Sequence, residues 1–370
     1  MIRIDEIYNH TFWPYIKHNI PLTRLFFCDP PGRSDPESLH NFGVDTAEYN
    51  YIFLHDQEPI HLSIHRRLFD DVAERNLDLN NNSGPKYQAL IHSEQDSDTV
   101  EEVCSMYNWK PYYYFFHGWA ALDWYRGYDK TFLMPPANTR KIKKTFIAPN
   151  RIIAGERKHR LEMLYHIFKN GMLDNHISCP AICPVENISI HQAIAPLINK
   201  YPDIQEVFAN QTLPMNFANE TNHPMHSCWL SLFDESAESL LYLVTETVAT
   251  GRRHHLTEKT FKPIALGMPF IIVGTQGSLK YLRSYGFKTF GCCWDESYDD
   301  EPDDQLRYKK IADVLKSLDS LDEAGLNSVF QQLIEIVEFN RNHFYNGGFG
   351  QVLWSELADM LDCIKTDFNK

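Results

Sequence analysis

Residues 240–290 alternate short apolar runs with segments in which apolar positions recur at helical spacing. Short apolar runs bounded by glycine or proline are typical of buried strands, and spacings of three and four residues predict helices. Strands are therefore predicted at 240–244, 269–273 and 287–290, and helices at 257–267 and 277–285. This order predicts a parallel sheet in a doubly wound α/β domain.

The first of these helices has signals at both of its ends. Thr257 precedes the helical pattern, and its side chain can cap a helix N-terminus. Gly267 follows the pattern and can adopt the left-handed conformation that is common just after a last helical turn. Pro263 lies inside the pattern, where it is expected to kink the helix.

The first half of the chain repeats the order of strand, charged loop and helix. Strands are predicted at 25–28, 51–54 and 87–92, helices at 62–73, 99–106 and 117–126, and turns at 29–32 and 80–85. The dense aromatic run 111–116 is typical of a protein core. Pro135 and Pro136 follow, and a linker between domains is expected there.

The second half opens with a strand at 145–148 and an amphipathic helix at 158–169. Further helices are predicted near 190–200 and at 304–318, 326–344 and 352–364. The chain is therefore predicted to be an α/β protein with two Rossmann-like domains, residues 1–136 and 137–350, and a C-terminal helix within 351–370.

Length and composition agree with a two-domain globular protein. The 370 residues exceed the size of one ordinary core, and 43% of them are hydrophobic. No apolar run reaches the roughly 18–20 residues that a membrane span needs. The first ten residues lack the basic and then apolar form of a signal peptide, so a soluble, cytoplasmic protein is expected.

Cysteine usage and motif content narrow the possible chemistry. The eight cysteines are scattered along the chain, so we expect reduced thiols rather than a disulfide scaffold. Cys179, Cys183 and His176 have no second pair at ligand spacing, which favours core packing over a zinc site. The absence of P-loop, G-x-G-x-x-G and G-x-S-x-G motifs leaves P-loop NTP hydrolysis, NAD chemistry and serine-hydrolase chemistry without support.

Basic side chains cluster where the helix predicted at Thr257 begins. They are Arg252, Arg253, His254, His255 and Lys259. Free N–H groups and the helix dipole favour an anion at such an end, so the cluster predicts a phosphate site. Glu258 in the same turn is suited to hold the hydroxyl pair of a ribose. The plainer interpretation is an ordinary solvated first turn.

A motif that spans these residues resembles a known enzyme family. It consists of Thr257, Glu258 and Lys259, then a helix, and then Gly267, Pro269 and Gly274. It is similar to a signature in the nucleotide-binding half of GT-B glycosyltransferases of the α-1,3-fucosyltransferase kind and, more loosely, of exostosin-like enzymes. The match covers about one-eighth of the chain. Lys262 and Pro263 stand near a point where the family usually has Asn.

The resemblance implies a fold and roles for particular residues. It implies two Rossmann-like domains that face each other across a cleft, with a C-terminal helix that crosses back to the first domain. Glu258 and Lys259 would contact the ribose and phosphates of the donor. The predicted donor-binding set is Asn150, Arg151, Arg160, Arg253, His255, Thr257, Glu258 and Lys259. For Arg157–Arg160, a solvated basic helix start is the alternative.

An inverting transfer also needs a base for the acceptor hydroxyl. His55, Asp56 and Glu58 follow a predicted strand of the first domain. Glu58 and Pro59 resemble the Glu-Ser-Pro element of fucosyltransferases, so Glu58 is the first candidate and Asp56 the second. The alternative is that Asp56 caps a helix while His55 and Glu58 are ordinary surface residues.

A second assignment uses a metal ion. Asp96 and Asp98 have the D-x-D spacing with which GT-A transferases hold manganese and the donor diphosphate. Such triplets are common by chance, and Asp98 also fits an acidic residue at a helix start, so this assignment is weighed below the first.

Together these observations predict a metal-independent glycosyltransferase that moves a sugar from a nucleotide-sugar donor to a glycan hydroxyl, with no metal and no other cofactor. The net charge of −14 disfavours a nucleic-acid acceptor. DNA-base glycosyl transfer, which other GT-B enzymes perform, and a non-catalytic sugar-binding module are the remaining alternatives.

Overall fold

The computed structural model describes residues 4–20, 22–28, 39–42, 50–79, 87–128, 134–217 and 229–370, and the turns predicted at 29–32 and 80–85 lie outside these ranges. The chain divides into two compact units, each of mixed α/β structure. Unit 1 comprises Met1–Asp123, Gly251–His255 and Gly350–Lys370. Unit 2 comprises Trp124–Thr250 and Leu256–Phe349.

Unit 1 contains a mostly parallel sheet. Its strands within the described residues are β1 (Thr23–Cys28), β2 (Leu39–Phe42), β3 (Asn50–His55), β4 (Tyr87–His92) and β5 (Lys110–Tyr113), in the order β2-β1-β3-β4-β5. Only β2 runs antiparallel to its neighbour among these described strands. The strands predicted at 25–28, 51–54 and 87–92 are confirmed. Every residue of β1 and β3 is buried, as expected for parallel strands covered on both faces.

Helices pack around this sheet. They are α1 (Trp13–Asn19), α2 (Leu62–Leu79), α3 (Asp98–Tyr107), α4 (Phe116–Trp124) and, from Gly350 onward, the C-terminal helix α13 (Gly348–Phe368). Phe53, Phe69 and Trp109 are central to the core between sheet and helices. Asn108 ends α3 in the left-handed conformation, with φ of 56°. Trp354 of α13 packs edge-on against Trp119 of α4, with ring centroids 4.6 Å apart.

Unit 2 contains a second parallel sheet. Its described strands are β6 (Lys144–Ala148), β7 (His176–Ile177), β10 (Ser239–Thr245) and β11 (Phe270–Val273), in the order β11-β10-β6-β7. A separate antiparallel hairpin is formed by β8 (Ile182–Cys183) and β9 (Ile188–Ser189). The strands predicted at 145–148, 240–244 and 269–273 are confirmed. The predicted strands 51–54 and 269–273 lie in different sheets.

Six of the described helices of unit 2 were predicted from the sequence pattern, whereas Ile204–Ala209 and Phe233–Ala237 were not. The described helices of this unit are α5 (His159–Lys169), α6 (Ile190–Ile194), α7 (Ile204–Ala209), α8 (Phe233–Ala237), α9 (Glu258–Leu266), α10 (Ser278–Ser284), α11 (Asp304–Asp319) and α12 (Glu323–Tyr345). Thr257 caps α9 and Gly267 follows it with φ of 65°, so both predicted ends are confirmed. In the part of the chain described, no helix combines the length and apolar character needed to cross a membrane.

The strand predicted at 287–290 is wrong, because this described segment pairs with no other strand. Phe287 and Phe290 are buried, which explains the apolar pattern. The hydrogen bonds that a neighbouring strand would supply come instead from a side chain. Asn340 of α12 accepts the N–H of Lys288 and donates to its carbonyl oxygen, both at 2.8 Å.

Candidate functional site

The sheet of unit 2 has a point where its chain connections diverge. From β6 the chain passes through α5 to β7 on one side, whereas from β10 it passes through α9 to β11 on the other side. In open α/β sheets, ligands bind in the crevice beyond the carboxyl ends of two strands whose connections diverge in this way. The carboxyl ends of β6 and β10 therefore define the candidate site of unit 2.

Glu246, directly after β10, joins this strand end to the start of α9. Its side chain is fully buried. Oε1 accepts the N–H of Thr257 at 3.0 Å and the hydroxyl of Thr260 at 2.6 Å. Oε2 accepts the hydroxyl of Thr257 at 2.5 Å and the N–H of Thr247 at 3.1 Å. A carboxylate of the protein thus occupies part of the anion-favouring helix end at which the sequence predicted a phosphate.

The first turn of α5 also contacts the end of β10. Nη2 of Arg160 donates to the carbonyls of Thr245 and Glu246, at 3.1 and 3.3 Å, and Nη1 donates to that of Ile152 at 2.8 Å. His159 donates from Nε2 to the carbonyl of Glu246 at 2.9 Å. Burial lowers the pKa of Arg160 to about 10 and that of His159 to about 3. Arg160 is buried, so the surface-residue alternative does not hold, and its guanidinium anchors the strand end.

Asn150 links β6 to β10 across the crevice. Its Oδ1 accepts the hydroxyl of Thr245 at 3.1 Å, while its Nδ2 donates to the carbonyl of Ala148 at 3.1 Å. Its N–H donates to the hydroxyl of Ser178 at 2.8 Å. These bonds fix the backbone where Arg151 leaves β6. Asn150 therefore shapes the floor of the site rather than presenting its amide to solvent.

Lys259 and Glu258 lie in the first turn of α9, where Lys259 is partly exposed and Glu258 is buried. Nζ of Lys259 lies 2.9 Å from Oε1 of Glu258, 3.1 Å from Oγ1 of Thr247 and 3.2 Å from Oγ1 of Thr257. The side chain of Lys259 is 30% exposed, whereas that of Glu258 is 6% exposed. The ammonium group is thus held in place and reachable by a ligand.

The basic residues of 251–255 belong to unit 1, although they lie between β10 and α9 in the chain. Residues Gln95 and His254 form an antiparallel bridge, with N···O distances of 3.0 and 2.7 Å. Arg253 donates to the buried carboxylate of Glu94 at 3.3 Å and to the carbonyl of Ile60 at 3.0 Å. His255 donates from Nδ1 to the carbonyl of Ser93 at 3.2 Å. Arg253 and His255 therefore have partners at the carboxyl end of β4.

The three base candidates lie at the carboxyl end of β3. Asp56 is buried, and its two oxygens accept the hydroxyls of Tyr8, at 2.8 Å, and Tyr114. Burial raises the pKa of Asp56 to about 6, against the opposing effect of those two hydroxyls. The ring of His55 is buried against that of His65, with centroids 4.5 Å apart. Glu58 is half-buried, and it is the most accessible of the three.

Of the D-x-D alternative, Asp96 lies between β4 and α3, and Asp98 is the first residue of α3. Asp98 accepts from Nε of Arg252 at 2.5 Å, and Asp96 lies 3.7 Å from Nε2 of His254. Asp98 therefore pairs with the guanidinium of Arg252, and Asp96 faces the imidazole of His254 in the same unit. Among the described residues, no group of three or more His, Cys, Asp or Glu side chains is arranged to hold a metal ion.

Sequence reasoning did not identify Glu246, His159 or Thr260 as parts of the site. The available signal was one acidic residue between the apolar run of β10 and the T-E-K motif. Comparisons with protein-family models, with curated proteins and with solved structures found no match to this chain.

Proposed function

We propose that this protein is a glycosyltransferase that moves a sugar from a nucleotide-sugar donor to a hydroxyl group of a glycan. The observation that carries the proposal is the crevice between β6 and β10, where Asn150, Glu246 and Arg160 organise the strand ends through buried hydrogen bonds. Crevices of this topology are the usual nucleotide sites of α/β sheets. The resemblance of the T-E-K segment supports a sugar nucleotide as the ligand.

In this proposal, the donor phosphates contact side chains more than they contact the backbone N–H groups at the N-terminus of α9. Glu246 already accepts the N–H of Thr257, so that donor is not available to a ligand. The ammonium of Lys259 and the guanidinium of Arg151 supply the positive charge that a departing diphosphate requires. Glu258 is positioned to accept from ribose hydroxyls, and Arg160 and Thr257 act as positioning residues.

Unit 1 carries the acceptor side in this proposal, as in the GT-B arrangement that the resemblance implies. Glu58 deprotonates the acceptor hydroxyl, because it is the accessible carboxylate at the end of β3. Asp56 is a poorer base, since it is buried and both of its oxygens accept tyrosine hydroxyls. The net charge of −14 favours a glycan over a polyphosphate acceptor.

Hydrolysis and transfer assays with a panel of nucleotide sugars test this function. Turnover of one donor, retained in EDTA, is expected because side chains rather than a cation stabilise the leaving group. Loss of turnover with EDTA, restoration by manganese and the same loss in Asp96→Ala would establish the metal-dependent alternative. Sugar binding without turnover of any donor would establish a binding module instead.

A further inference from the structure

A cleft of about 440 Å³ opens beside the candidate site in unit 2. Its lining includes Arg151 after β6, Pro180, Ile182 and Pro184 at the β8–β9 hairpin, and Pro214 and Asn216 opposite them. The two walls are joined through paired backbone hydrogen bonds between Cys179 and Met215, both 2.9 Å long. The volume falls within the range of roughly 300–1,000 Å³ that small-molecule sites occupy.

The lining of the cleft suits one part of a nucleotide sugar better than another. Three prolines, Ala181 and Ile182 give apolar walls, and the polar residues of the lining are Asn150, Arg151 and Asn216. A hexose presents hydroxyls in most directions, and burying them against apolar walls would leave hydrogen bonds unmade. A nucleobase has apolar faces and a polar edge, which matches walls of this kind with few polar groups.

We propose that this cleft binds the base of the donor nucleotide, an inference that rests on the proposed function. The base lies between the hairpin and the segment around Pro214, with Asn216 available to its polar edge. Arg151 stands where the cleft meets the end of β6, so the phosphates leave the cleft past its guanidinium. Ile182, which is 56% exposed, supplies one apolar wall and becomes covered when the base binds.

Two substitutions on one hairpin test the assignment. Ile182 lines the cleft, whereas Val185, which is 60% exposed and only three positions further along the chain, is not among its lining residues. Ile182→Asn and Val185→Asn both replace an exposed apolar side chain by an uncharged polar one, so both variants should fold. Calorimetry would measure the affinity of each variant for four nucleoside diphosphates and for inorganic pyrophosphate.

For the nucleoside diphosphate that wild type prefers, Ile182→Asn should bind about tenfold more weakly, as expected for the loss of one apolar contact. Its pyrophosphate affinity and both affinities of Val185→Asn should equal those of wild type. Unchanged nucleotide affinity in Ile182→Asn, or a parallel loss for pyrophosphate, would overturn the base assignment while leaving the proposed function intact. A wild-type protein that binds none of the nucleotides would overturn both.

Discussion

Removing the carboxylate of Glu246 should loosen the start of α9 and weaken nucleotide binding. In Glu246→Ala, the buried N–H groups of Thr247 and Thr257 lose their acceptor, while the hydroxyls of Thr257 and Thr260 can turn to other acceptors. Each buried N–H left without a partner costs about 1–3 kcal/mol. For two such groups we expect the free energy of unfolding to fall by about 2–6 kcal/mol.

Glu246→Gln is the finer test, because it keeps the shape of the side chain. Its oxygen can serve one of the two N–H groups, and its amide can donate to threonine hydroxyls, so a loss of about 1–3 kcal/mol is expected. Nucleotide affinity should fall about tenfold, equal to about 1.4 kcal/mol, since Lys259 lies between Thr257 and Thr260, which Glu246 holds.

The matched control is Glu162→Gln in the same unit. Glu162 is also a buried carboxylate, and it binds Lys200 at 2.5 Å and Tyr201 at 2.9 Å. This substitution should lower stability in urea titrations without changing nucleotide affinity measured by calorimetry. The reasoning is refuted if Glu246→Gln unfolds at the wild-type urea concentration, or if the two variants lose nucleotide affinity equally.

Three further outcomes are expected. Lys259→Ala should weaken nucleoside diphosphate binding by about 1.5–3 kcal/mol, the range for a charge-assisted contact; calorimetry giving wild-type affinity would contradict its phosphate role. Glu58→Gln should lower turnover by about 10²–10⁴-fold with unchanged donor affinity, and near-normal kinetics would pass the base role to Asp56 or His55. Burial lowers the pKa of His65 and His92 from 6.5 to about 4, so unfolded chains bind more protons than folded ones in that window and stability falls as pH drops through it. Asp56, with its pKa raised to about 6, acts in the opposite sense; urea midpoints should nevertheless be lower at pH 5 than at pH 7, and equal midpoints would show that the buried histidines do not dominate.

The sequence predicted those features of the fold that depend on residues close together in the chain. Strand β10, the cap at Thr257 and the turn at Gly267 follow from local apolar pattern and backbone preference. The apolar pattern at 287–290 was misleading. Burial of Phe287 and Phe290 gives this pattern whether the backbone hydrogen bonds of the segment are made to a strand or to the side chain of Asn340. Apolar periodicity reports burial and does not identify the hydrogen-bond partner.

The candidate site was predicted only in part, for a related reason. The T-E-K segment and Asn150 lie together at the carboxyl ends of unit 2 strands, as their positions after apolar runs indicated. The role of Glu246 depends on threonines 11 and 14 positions away, and no local pattern reports such a contact. Arg253 belongs to unit 1 through Glu94, 159 positions earlier in the chain.

The division of the chain has a consequence for its biosynthesis. The five described strands of the unit 1 sheet are complete at Tyr113, but the unit also includes Gly251–His255 and Gly350–Lys370. In the finished fold, the carboxylate of Glu356 accepts the N–H of Phe115 at 2.7 Å. During synthesis on the ribosome, the strands of the unit 1 sheet are therefore made long before α13, the helix that packs against this unit. Unit 1, although it is first in sequence, can be completed only after the whole of unit 2 has been synthesised, and a protein truncated before α13 should expose Trp119 and bind chaperones.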